Sequence, residues 1–503
     1  MSNKPVEAIF RPALILMSGR AIGFIAAFGI PIILVRTFSQ EEFGTYKQLF
    51  LVFSTLFGIA QAGMAESLYY FLPTDSRKSG RYVFNSLVVL GGLGLISAVA
   101  LWVLRNQVAT LLNNPGLTEY LPYIGIYLLF MLMSVLLEIL MTIRKQHLAA
   151  SATYALTDLF RALLLVTPAL VFGQIEWLLI GAAGFAIGRF GVMSIYVGHN
   201  FKGELQSDGS RLRRHLGYAL PFGLAAAIGQ LQLNYHMYAV SYYFDAAVFA
   251  IYAVGCLQLP ITDFLMTSTC NVMMVNMGEK IRSNDKDAVA AIWLDAVRKL
   301  ALILFPIVVS LLIVANELII LLYTIDYAES VPIFMVWTVN MLFAALLTDG
   351  GLRVFAATRF LILQNIVRLG IIVIFIRFFL DRFGLIGAVY VTLFATVVTK
   401  FLALGRLKSL MQVSTAQLLP WKALAGVVAV SVAAALPALL IKMTLQVSVA
   451  PLLVVTGLVY CLSYYFLLLI CGPMSGEEKQ SLVQMTQTPL YRIFRTRKAG
   501  KVW

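Results

Sequence analysis

The stretch "ALILMSGRAIGFIAAFGIPIILV" at residues 13–35 carries a single charge, Arg20, and its reading decides the class of fold. A helix rises about 1.5 Å per residue, so a run of this length crosses a hydrocarbon layer of about 30 Å. An arginine inside such a run costs about 2.5–3.5 kcal/mol on insertion scales, and is expected to face a protein interior or a wet cavity rather than lipid. One helix offers neither, so Arg20 implies that other helices surround it.

The rest of the chain supplies them. Of its 503 residues 60% are hydrophobic and 12% charged, against about 25% charged in soluble domains. The fold class expected is an all-α polytopic membrane protein. Windows of about 20 apolar residues predict spans at 13–35, 44–70, 83–104, 120–143, 148–172, 177–197, 216–240, 247–277, 300–323, 331–347, 361–380, 384–404, 421–442 and 449–471, fourteen in all. The first run is longer than the h-region of a signal peptide and lacks a clear cleavage site, so it is expected to be retained.

Positive residues test that count, because they collect on cytoplasmic loops. Arg77, Lys78 and Arg81 follow the second span, Arg144 and Lys145 the fourth, and Lys202, Arg211, Arg213 and Arg214 the sixth. Lys280, Arg282, Lys286, Arg298 and Lys299 follow the eighth, Arg353 and Arg359 the tenth, and Arg406 and Lys408 the twelfth. Both termini are therefore expected in the cytoplasm. The net charge of +14 is read as this bias, with no nucleic-acid partner. The longest outer loop, about 105–119, leaves little room for an external catalytic module. Four cysteines and four histidines lie scattered without metal-like or disulfide spacing, and no Walker-type phosphate loop is present, so neither a metal nor a cofactor is expected.

Two internal matches suggest a duplicated unit. "EEFGTYKQLF" (41–50) and "AAVFAIYAVG" (247–256) set Phe43 and Tyr46 opposite Phe249 and Tyr252 at an offset of 206. "LTDLFRALLLV" (156–166) and "LQNIVRLGIIV" (363–373) set Asp158 opposite Asn365 and Arg161 opposite Arg368 at 207. The expected organisation is two pseudo-symmetric six-helix lobes, 1–200 and 201–410, around a central cavity. Two added transmembrane helices at 411–475 and a basic cytoplasmic tail at 476–503 complete it. The tail "YRIFRTRKAGKVW" (491–503) is basic and amphipathic, suited to anionic lipid headgroups.

The stretches "LVRTFSQEEFGTYKQLFLVFSTLFGIAQAGMAESLYYFLP" (34–73) and "FGLIGAVYVTLFATVVTKFLAL" (383–404), with the fourteen-span layout, resemble the polysaccharide-transporter branch of the multidrug/oligosaccharidyl-lipid/polysaccharide exporter superfamily, the O-antigen and exopolysaccharide flippases. The resemblance implies a non-enzymatic transporter of the bacterial plasma (inner) membrane. It would move polyprenyl-pyrophosphate-linked oligosaccharide repeat units to the outer leaflet by alternating access, for cell-surface polysaccharide biosynthesis. It also implies membrane lipids as partners, and a polysaccharide polymerase and other assembly proteins as further candidates.

A diphosphate leaving water calls for cations in a polar groove, and arginine's forked donors match phosphate. Arg20, Arg161, Arg189 and Arg368 are the cationic candidates, with Lys400 near the end of span twelve. Each has a structural reading beside it. Arg20 reaches the nearer interface by snorkelling, and Arg161 pairs with Asp158 three residues away. Arg189 follows the small-residue run "GAAGFAIG", and Lys400 is read first as an interfacial positive-inside residue. Gln230 and Asn234 lie on a small-to-polar stripe of span seven, where their amides either bind sugar hydroxyls or join helices. Glu66, Glu138, Asp158 and Asp263 are acids at membrane depth, candidates for a coupling ion or for charge pairing.

Two rival classes remain. A cation antiporter of the same superfamily calls for an acid- and aromatic-rich site, whereas this chain has at least as many cations at depth. A membrane glycosyltransferase or polymerase calls for a substantial catalytic outer loop.

Overall fold

The computed structural model describes residues 19, 21, 23–75, 79–283, 285–474, 476 and 478–480. Residues 481–503 of the basic tail, Arg20, Arg77, Lys78 and the side chain of Asp263 lie outside that description. The elements are α1 (Gly23–Leu34), α2 (Gln40–Ala60), α3 (Met64–Thr74), α4 (Ser79–Val103), α5 (Arg105–Leu111), α6 (Leu117–Ser134), α7 (Leu136–Ile143), α8 (His147–Phe172), α9 (Ile175–Asn200), α10 (Gly209–Tyr243) and α11 (Ala246–Gly255). They continue as α12 (Pro260–Arg282), α13 (Lys286–Ile313), α14 (Ala315–Tyr323), α15 (Ser330–Val339), α16 (Thr348–Val354), α17 (Thr358–Phe383), α18 (Gly387–Met411), α19 (Thr415–Leu418), α20 (Trp421–Thr444) and α21 (Val449–Cys471). Among the described residues there is no strand.

Eleven described helices are long and apolar enough to cross a membrane, against fourteen spans expected. Three local features account for the difference. The described part of the first span is the short helix α1. The eighth span is interrupted at residues 256–259, leaving α11 and α12 as separate pieces. The eleventh and twelfth run together as Thr358–Met411, because a 3-10 turn at Gly384–Ile386 joins α17 to α18 without a loop. The outward faces suit lipid: Val454, Leu458, Leu462, Phe466 and Ile470 form an exposed apolar stripe at four-residue spacing along α21.

The chain divides into two units, one holding residues 1–260, 322–336 and 358–399, the other 261–321, 337–357 and 400–503. In the first unit α6 packs against α4, α9 and α2, while α10 packs against α2, α3 and α17. Phe43, Leu49, Tyr127 and Tyr252 are buried in its core. A dry polar network pins α2 to the α5–α6 turn and to α10. Gln48 donates to Leu112 O at 3.0 Å and Ser241 Oγ at 2.7 Å, and Asn114 donates to Gln48 Oε1 at 2.6 Å and Thr45 Oγ1 at 2.8 Å. These buried amides are satisfied, so the network fixes register rather than costing desolvation.

In the second unit Trp293 is fully buried and donates to Leu418 O at 2.9 Å. Helix α13 packs against α20, and Ala434, Ala435, Ala438 and Tyr460 close over Ile313 and Val314. Ion pairs tie both ends of this assembly. Lys442 Nζ lies 2.8 Å from Glu317 Oε2 and 2.6 Å from Ile313 O. Arg298 reaches Glu478 at 2.8 Å, Asp295 at 2.8 Å and Pro473 O at 3.1 Å.

Local geometry bears on the internal matches. Ser39 and Asp245 are both N-caps, of α2 and α11, and stand 206 positions apart like the aromatic pairs that follow them. Helices α8 and α17 are both 26 residues long. Each is followed by a glycine in the left-handed region, Gly173 at φ 66° and Gly384 at φ 63°, a conformation glycine adopts at no steric cost. Those glycines stand 211 apart, not 207. Helix boundaries therefore set Arg161 and Arg368 four residues out of step, about one turn of helix.

Candidate functional site

Two of the candidate acids meet two of the candidate arginines inside the first unit. Helix α7 carries Glu138 and α9 carries Arg189, and Arg189 Nη2 grips both carboxylate oxygens at 2.8 and 2.7 Å. The Glu138 side chain is 3% exposed and that of Arg189 14%, so the pair is held in a dry setting. On α8, Arg161 Nη2 lies 2.9 Å from Asp158 Oδ1, with side-chain exposures of 26% and 27%. Tyr127 on α6 feels the charges of Arg161, Arg189 and Asp158, which joins the two pairs into one cluster. Tyr46 on α2 is within electrostatic reach of Arg161.

The cluster is charge-balanced, yet its donors are not used up. Arg189 Nε is buried without a hydrogen-bond partner among the described residues, while Arg161 and Tyr127 interact side chain to side chain. Orphaned donors in a low-dielectric setting attract an acceptor such as water or an anion.

The other candidates lie elsewhere. Arg368 on α17 is half-buried and acts electrostatically on His236 of α10, whose Nδ1 lies 2.7 Å from Tyr252 Oη. Asn234 donates to Thr55 Oγ1 at 2.7 Å and Gln230 to Ser54 O at 3.4 Å, so both amides reach from α10 to α2. Glu66 is exposed in the first turn of α3. Lys400, in the second unit, donates to Thr348 Oγ1 at 2.8 Å and stands 3.6 Å from Asp349. It lines a pocket with Thr267, Cys270, Asn271 and Arg353.

Sequence reasoning passed over two cations. Lys47 stands on α2 over the rings of Phe43 and Tyr46, 5.3 and 5.8 Å from their centroids. The signal was available, since a charge inside the span at 44–70 obeys the rule applied to Arg20. Arg353, read as a loop charge, is part of α16 and the Lys400 pocket.

Outside the spans, a charged corner joins the α3–α4 turn to the start of α10. Asp208 accepts hydrogen bonds from Ser210 Oγ at 2.7 Å, Arg211 N at 3.1 Å and Arg81 Nη1 at 2.9 Å, and also from Arg211 Nη1. Those donors, Ser210 first, hold its carboxyl well below the usual aspartate range.

Long apolar helices with charge pairs between them define a class, the polytopic membrane proteins, and solved structures share the fold. The lipid II flippase MurJ in an inward closed conformation is similar at 14% identity and a TM-score of 0.69, over 90% of this chain and 98% of that one. An outward-facing multidrug resistance MATE family transporter of the MOP superfamily is similar at 14% identity and a TM-score of 0.55, over 82% of this chain and 97% of that one. A MOP superfamily transporter from Pyrococcus furiosus, described as having a binding pocket of reverse polarity, shows 13% identity and a TM-score of 0.54, over 81% and 96%. At such identities the likeness is one of fold. A comparison with curated proteins gives no match. A family model described as polysaccharide biosynthesis protein matches residues 33–332, and the chain belongs to that family.

Proposed function

We propose that this protein is a flippase carrying polyprenyl-pyrophosphate-linked oligosaccharide repeat units from the cytoplasmic to the outer leaflet of the bacterial plasma membrane. One conjunction carries the reading: membership of a polysaccharide biosynthesis family together with a flippase-like fold over 90% of the chain. The proposal includes the two six-helix lobes at 1–200 and 201–410, alternating access between them, and cytoplasmic termini.

The chemistry is consistent with such a cargo. The lipid tail can stay in the bilayer while the diphosphate crosses, so the protein must supply donors along the path. Arg20, Arg161, Arg189, Arg368 and Lys400 are proposed to meet the diphosphate, and Gln230 and Asn234 the sugar. With the cell interior negative, outward movement of an anionic headgroup is favoured by about 2.3 kcal/mol per charge per 100 mV, so no nucleotide is required.

The test is reconstitution. Vesicles holding the purified protein and a fluorescent polyprenyl-diphosphate oligosaccharide are expected to expose the sugar on the opposite leaflet faster than protein-free vesicles. Equal rates, or uptake of a cationic dye in its place, overturn the proposal, the second outcome in favour of a cation antiporter.

A further inference from the structure

We infer that the pocket formed by α12, α16 and Lys400 of α18 is a second anion site, the place where a diphosphate group is first captured. This rests on the flippase reading. All lining residues belong to one unit, the second.

Chemistry and size support the assignment. The pocket holds about 180 Å³ and is lined by Thr267, Cys270, Asn271, Asp349, Arg353 and Lys400 among others. That is room for about six waters, enough for a small polyoxyanion and too little for a sugar chain. Two cations face one acid, so the lining is net positive. Lys400 donates to Thr348 and stands 3.6 Å from Asp349, while Arg353 makes no ion pair among the described residues. A guanidinium and an ammonium beside an amide and a hydroxyl match the donor requirements of a phosphate.

The wall is built at a cost in backbone strain. A seven-residue 3-10 segment, Asn340–Leu346, precedes Leu347, which is held at φ 47°. Runs of 3-10 helix this long are uncommon, and a branched residue in the left-handed region is strained. Both conditions concentrate at functional sites. Next to it, a Cβ on Gly350 would overlap Cys270 Sγ, so the bare glycine lets α12 and α16 close up while the thiol stays at the pocket lining. Arg353, Arg359 and Lys400 follow the positive-inside pattern, which puts the pocket at the proposed cytoplasmic end. Substrate would enter there.

Cys270 is a built-in reporter. In a C256A/C461S/C471S chain it is the sole thiol, and its reaction rates with an anionic sulfonatoethyl and a cationic trimethylammonioethyl methanethiosulfonate can be compared, each relative to free cysteine. The anionic reagent is expected to be favoured about tenfold at low salt, with the preference collapsing at about 1 M salt as charges are screened. Lys400→Gln with Arg353→Gln is expected to abolish it, and Lys400→Arg to retain it. Millimolar inorganic pyrophosphate, or polyprenyl diphosphate in the vesicles, is expected to slow the anionic reagent about fivefold, while phosphatidylglycerol vesicles alone leave it unchanged.

No charge preference, or no protection by either diphosphate, overturns the site. Protection by phosphatidylglycerol alone assigns the pocket to lipid headgroups and overturns it as a substrate site. The salt series needs no substitution at the pocket, so a variant that fails to fold does not rescue the idea. Pyrophosphate protection in a chain that flips no lipid-linked sugar leaves the anion site standing and removes the flippase reading. Translocation without protection does the reverse.

Discussion

The Glu138–Arg189 pair and the Asp158–Arg161 pair share a cluster and a chemistry, and differ in how much water reaches them. The first is bidentate between two helices with its carboxylate 3% exposed; the second is a contact within one helix at about a quarter exposure. In the low-dielectric case each charge depends on its partner, because desolvation has no other compensation. In the wetter case solvent shares the work, and the Coulombic term is small. The lesson is that charge pairs of one chemistry do different structural work: the dry pair joins α7 to α9, while the wetter one lies within α8.

The comparison breaks first at Glu138. Glu138→Ala strands a buried guanidinium and is expected to cost about 3–5 kcal/mol. It would show as a large fall in melting temperature in detergent, and adding Arg189→Ala is expected to restore part of the loss. Equal stability of wild type and Glu138→Ala would mean the pair is not dry.

Next come two of the cations proposed to meet the diphosphate. Arg161→Ala and Arg368→Ala are each expected to slow translocation about tenfold, equivalent to about 1.4 kcal/mol of barrier, at normal membrane levels. Unaltered flipping rates in both would remove them from the substrate path. Asp158→Ala sharpens the contrast from the other side, with an expected cost to melting stability of about 1 kcal/mol or less.

The smallest effect concerns pH. Asp208 has its folded value lowered, so its contribution is fully present above the unfolded aspartate value of about 3.9 and is lost as pH falls through the folded one. Wild-type protein is therefore expected to lose stability more steeply below about pH 4 than Asp208→Asn. Parallel acid titrations of melting temperature check this, and identical slopes would dismiss it.

These differences were unevenly legible in the chain. Apolar length gave span positions well, since crossing a membrane is a local requirement; α21 begins and ends where the window placed it. The three-residue spacing exposed the Asp158–Arg161 contact. Glu138 and Arg189 lie 51 positions apart, and only the packing of α7 and α9 makes them partners. The interruption of α11 and α12 and the 3-10 segment before Leu347 left no pattern that a hydropathy window reads, because both depend on backbone angles. The offset of 207 matches residue types, while the glycines that end α8 and α17 stand 211 apart, a spacing that depends on where each helix stops.

The Lys442–Glu317 salt link, just beyond the C-terminal end of α13, carries a consequence for anyone trimming this chain. Glu317 is buried, and its cation, Lys442, comes from α20. A shortened protein ending near residue 411 would keep the acid and discard its counterion. The α20–α21 hairpin is thus an internal prop of the second unit, and without it the Glu317 carboxyl would be left to take up a proton or water instead of its ammonium partner.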